Sequence, residues 1–107
     1  MTFSMKNYMD GVLKGAPETY ERELAQARKI QEAILGRWNA REPQYWKLKH
    51  LHWFLNVYQR SEKPETRYRY WLTAKKILKR LGKEEDWMPR LKGSWTEPQR
   101  KKYFGQR

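Results

Sequence analysis

Apolar residues recur at three- and four-residue intervals along most of the chain, and no segment shows the strict alternation of a half-buried strand. The first strong pattern begins at Pro17 or Glu18 and runs to about Arg37. Tyr20, Leu24, Ala27, Ile34 and Trp38 fall on one stripe of a helix there, flanked by Ile30 and Leu35. Pro17 suits the first helical position, where its missing N–H costs nothing, and Glu18 and Glu21 favour the positive end of the helix. Gly36 weakens the far end. Asn39 and Glu42 then stand at capping-box spacing, and Pro43 fits a first turn. A second helix is therefore expected from about Pro43 to Arg60.

The apolar pattern of that second helix is broad. Leu48, Leu51, Phe54, Leu55 and Tyr58 make one arc, and Trp46, Trp53 and Val57 make another. Only a narrow strip with Lys49, His52, Asn56 and Arg60 is polar. A helix apolar on two sides lies between neighbours, so this one is expected at the centre of the domain. After a short connection, Ser61 to Lys63, Pro64 restarts the chain into a third helix that runs to Leu81 or Gly82. Its inner face comprises Tyr70, Trp71, Ala74, Ile77, Leu78 and Leu81, and Gly82 is placed to end it. So short a link makes the second and third helices neighbours in space.

The flanks are less regular. Residues 1–16 read as an N-terminal arm or a short docking segment, with Met5, Tyr8, Met9 and Leu13 among its apolar points. Residues 92–107 read as a basic, aromatic C-terminal segment, with Ser94 and Thr96 as caps for a short helix toward Phe104. Residues 17–91 form the helical domain between them. The expected fold is all-α, a compact three-helix core with a short additional C-terminal helix or basic tail.

Composition changes this picture in two ways. The chain of 107 residues suffices for one domain, and its six Trp and seven Tyr bury much area each, so a few helices are enough to close a core. Trp38, Trp53 and Trp71 are expected in that core, whereas Trp46 and Trp95 are the tryptophans open to an exposed position. There is no Cys, which removes disulfides, thiolate metal sites and thiol redox chemistry. Neither a secretory signal nor a membrane span is legible, and the expectation is a soluble, intracellular, cytoplasmic protein.

The second change is charge. The formal net charge is +12, and a balance so far from zero favours polyanionic partners. The excess is uneven: residues 1–60 hold ten Lys/Arg against six Asp/Glu, and residues 61–107 hold fourteen against six. From Arg67 to Lys83 the third helix carries Arg67, Arg69, Lys75, Lys76, Lys79, Arg80 and Lys83, with no acid among them. Arg69, Thr73, Lys76, Arg80 and Lys83 fall within about a third of the helix circumference and are expected to oppose the apolar stripe. Like charges crowded on one helix repel, which a surface for phosphates would justify. Lys75, Lys76, Lys79 and Lys83 are candidates for backbone phosphates, and Arg67, Arg69 and Arg80 for phosphates or something more selective. Arg100, Lys101 and Lys102 extend the basic set. Trp95, Tyr103 and Phe104 are candidates for stacking on bases or for a protein interface.

Catalytic chemistry is not signalled. His50 and His52, two apart on a helix, point in different directions and lack acidic partners at ligand spacing. Glu84, Glu85 and Asp86 are contiguous, which suits a helix end or pairing with nearby cations better than a nuclease metal site. There is no phosphate-binding glycine loop and no Ser–His–acid arrangement. No cofactor or metal and no catalytic residue is expected. The function expected from these residues is non-catalytic binding of nucleic acid, DNA or RNA, as a binding or nucleoprotein-accessory protein. The alternative is an adaptor or assembly subunit that binds an acidic protein surface.

Overall fold

The computed structural model describes residues 4–13 and 15–91, so the expected C-terminal helix and the basic residues after Leu91 lie outside the described residues. The fold is all-α, and no strand occurs among the described residues. In chain order the helices are α1 (Met5–Met9), α2 (Pro17–Trp38), α3 (Leu48–Trp53), α4 (Pro64–Leu81) and α5 (Glu84–Trp87). A π turn, Phe54–Tyr58, continues α3, and short 3-10 turns occupy Pro43–Tyr45 and Met88–Leu91.

α2 and α4 follow the apolar period closely. Each starts with a proline at its first position and carries a glutamate, Glu18 or Glu65, in its first turn. α2 runs through Gly36 and ends at Asn39, whose left-handed backbone (φ 60°) lets its N–H donate to the Leu35 carbonyl at 2.9 Å. Asn39 is therefore a C-cap, not half of a capping box; its short polar side chain tolerates that conformation better than most. α4 ends at Gly82 (φ 82°), where Gly82 N–H donates to Lys79 O at 3.3 Å and Lys83 N–H to Leu78 O at 2.9 Å. That pair of bonds is the Schellman closure, which favours a residue without Cβ at the left-handed position.

The expected single helix from Pro43 to Arg60 is broken into three pieces. After the 3-10 turn, Trp46 and Lys47 are extended (ψ 152° and 163°), which carries the Trp46 ring into the core at 4% exposure. The new helix is capped from inside: His50 Nδ1 accepts the Lys47 N–H at 3.0 Å. Burial, with Lys49 and Lys47 alongside, holds His50 below the usual imidazole range and so favours the neutral ring this role requires. At its far end the chain widens into the π turn, where Gln59 N–H reaches back five residues to Phe54 O at 3.0 Å.

The core lies where α2, α3 with its π turn, and α4 meet. Leu24, Ile30 and Ile34 face Leu51, Phe54 and Leu55 and, from α4, Ala74, Ile77 and Leu78. α1 packs on α2 and α4 through the buried Met5 and Met9, and Met88 and Leu91 close the core from the C-terminal side. Trp38, Trp53 and Trp71, expected inside, lie half-buried at the rim instead, and Trp46 has gone in. No helix among the described residues is long and apolar enough to cross a membrane.

Candidate functional site

The cations of α4 divide into those that hold the fold and those that face solvent. Arg67 belongs to the first group. Its guanidinium donates twice to the Leu55 carbonyl, from Nε at 3.2 Å and from a terminal nitrogen at 2.9 Å, and so ties α4 to the π turn. Hydrogen bonds from a charged donor are worth more than neutral ones. Replacing Arg67 with Ala is expected to cost about 1.5–3 kcal/mol in urea unfolding. A cost within experimental error would mean that the contact holds nothing.

Lys76 and Arg80 are also committed. Lys76 Nζ lies 2.8 Å from both carboxylate oxygens of Glu23, and the pair is partly shielded between α4 and α2. Arg80 Nε donates to the Tyr8 carbonyl at 3.2 Å, and its guanidinium sits 5.3 Å from the centre of the Tyr8 ring, clamping α1 onto α4. Burial pushes the Tyr8 phenol above its usual range, against the pull of Arg80. Thr73, at 1% exposure, donates its hydroxyl to Gln26 Oε1 at 2.8 Å. α2 thus covers part of the arc expected to carry the basic stripe. The exposed basic face is rotated around α4 toward Lys75 and Lys79, and there it lies opposite the buried Thr73, Ala74, Ile77 and Leu78.

Arg69, Lys75, Lys79 and Lys83 are exposed and outside these contacts; Arg80 is exposed as well, although its guanidinium is held by Tyr8. Lys75 makes only a loose pair with Glu84 at 3.9 Å. Arg69, Lys79 and Lys83 make no side-chain hydrogen bond or ion pair among the described residues. Lys75 and Lys79, one turn apart, rise about 6 Å along the helix. They share a groove of about 340 Å³ with Glu23, Leu72, Lys76 and Glu84. The two glutamates offset part of the positive charge in that groove, so an anion would be held by Lys75 and Lys79 at its mouth, with Lys83 beyond the end of the helix.

Two of the three acids of α5 pair with cations: Glu84 loosely with Lys75, and Asp86 with Arg90, four residues on, at 3.5 Å. Among the described residues no cluster of three His, Asp or Glu side chains could hold a metal ion. His50 serves the backbone, and His52 is exposed. The stacking and tail candidates Trp95, Arg100, Lys101, Lys102, Tyr103 and Phe104 lie outside the described residues. A second feature was not singled out from the sequence: Arg37, Trp38, Trp53 and Tyr58 meet at the rim of the core. Their signal was present in the adjacent cation and aromatic at Arg37-Trp38, but the helical stripe assigned Trp38 inward. Compared with protein-family models, curated protein sequences and solved structures, the chain matches none of them.

Proposed function

We propose that the protein binds nucleic acid without catalysing a reaction on it, and that the exposed cations of α4 contact its phosphates. One observation carries the reading. After the intramolecular partners are assigned, Arg69, Lys75, Lys79 and Lys83 still present positive charge to solvent from a helix that carries no acid after Glu65. Such an array neutralises backbone charge and releases counterions, which yields affinity without a unique geometry. Arg67, Lys76 and Arg80 contribute through the fold that presents the array.

Binding to labelled duplex DNA, single-stranded DNA and structured RNA, followed by anisotropy across a salt series, tests the reading. An unrelated protein of similar charge is the control. Tighter binding than the control near physiological salt, with a preference among the three, is the expected result. Binding equal to the control's on all three would sink the reading. The basic face would then be assigned to an acidic protein surface, the partner that the same cations would suit.

A further inference from the structure

A row of aromatic rings runs from the end of α2 across α3 to its π turn. The Trp38 ring meets His50 at 4.5 Å between centres and Trp53 edge-on at 5.0 Å. Trp53 meets Tyr58 at 5.4 Å, and Tyr58 lies nearly parallel to Phe54 at 5.2 Å. Phe54 is fully buried and does the packing, whereas Trp38 and Trp53 are half-buried and Tyr58 is 44% exposed. The exposed Arg37 covers two of the rings, with its guanidinium carbon 5.0 Å from the centre of Trp38 and 5.6 Å from that of Trp53. The row is thus rigid, presents aromatic surface at the rim, and is topped by a planar cation.

Its electrostatic setting is largely positive, with Glu62 the acid near Tyr70. From Pro43 to Ser61 the chain has no Asp or Glu, while Lys47, Lys49 and Arg60 are exposed there. Lys49 lies one turn before Trp53. A flat ring stacks on an aromatic side chain or on a guanidinium plane whatever its sequence identity, and a nearby phosphate is met by lysine or arginine. An acidic peptide would use the cations but has no need of the rings. A ligand that alternates flat π surfaces with negative charges uses both.

We propose that Arg37, Trp38, Trp53 and Tyr58 form a stacking site for unpaired bases, with Lys49 and Arg60 taking the adjacent phosphates. The inference rests on the nucleic-acid reading above and narrows it to single strands, because the bases of a duplex are already stacked on one another. The row is joined to α4 through Phe54, which meets Tyr70 at 5.5 Å, next to the exposed Arg69.

The test compares two labelled oligonucleotides of equal length and phosphate count, an oligothymidylate and its fully abasic analogue, on the intact protein. The base-bearing strand is expected to bind at least about fivefold more tightly. Tyr58→Ala should shrink that margin while leaving affinity for the abasic strand unchanged, with a far-ultraviolet circular dichroism spectrum that matches the wild type's. Equal binding of both strands by the wild-type protein overturns the stacking site, leaves the phosphate reading standing, and turns the ring row into a surface for a protein partner. Binding of neither strand overturns both.

Discussion

Phe54→Ala is expected to lower the stability of the protein by about 3–5 kcal/mol, the usual cost of removing a buried phenyl ring. Phe54 is fully buried, starts the π turn, and contacts Tyr58 and Tyr70 at ring separations of 5.2 and 5.5 Å. Truncation removes the transfer free energy of the ring, leaves a cavity that the surrounding helices fill only in part, and forfeits both ring pairings. Domains of this size are stable by only about 5–15 kcal/mol, so the loss is a large share of the total. The melting temperature should fall by roughly 12 °C or more. A fall of a few degrees would mean that the π turn is not the centre of the core.

The second large effect concerns binding. Replacing Lys75, Lys79 and Lys83 together with Gln is expected to weaken nucleic-acid affinity near physiological salt by on the order of a hundredfold, because a phosphate no longer met by a lysine keeps its counterion. Stability should change little. Lys79 and Lys83 have no side-chain partner among the described residues, and the Lys75–Glu84 pair is exposed and long at 3.9 Å. Of the three, Lys79 stands in the last turn of α4, and losing its favourable charge there costs about 0.3–1 kcal/mol. Far-ultraviolet circular dichroism of the variant separates the two effects. A folded variant that binds as the wild type does would remove these lysines from the interface.

The helices that could be read from residue pattern are those whose ends are set locally. Pro17 and Pro64 begin α2 and α4, Gly82 ends α4, and the apolar stripe between them has the helical period. The central segment could not be read this way, because its breaks depend on core packing, on an unusual histidine cap and on a group outside the segment. Trp46 leaves the helical path for a place in the core, and the helix restarts only where His50 caps Lys47. The π turn is held by Arg67, twelve residues further along than Leu55, and no local spacing announces that bond.

The candidate site was legible in density but not in detail. Seven cations between Arg67 and Lys83 are plain in the sequence, yet three of them serve the fold. Glu23 lies 53 residues from Lys76, and Tyr8 lies 72 residues from Arg80, so only the folded chain reveals which charges are committed. Helical spacing put Thr73 and Lys76 on the outer face because it could not say where α2 would lie. The same limit hid the ring row. Trp38 and Trp53 carry the spacing of core residues, and only Phe54 and Leu51, filling the interior first, leave them at the rim.

The division of the α4 cations into structural and binding groups is tested most directly by the salt dependence of binding. Affinity for a single-stranded oligonucleotide would be measured across a salt series for the wild type, for the Lys75, Lys79 and Lys83 triple Gln variant, and for Lys76→Gln. The triple variant should have a slope of log affinity against log salt shallower by roughly two, and Lys76→Gln should keep the wild-type slope. An unchanged slope in the triple variant, or a flattened one in Lys76→Gln, would refute that division.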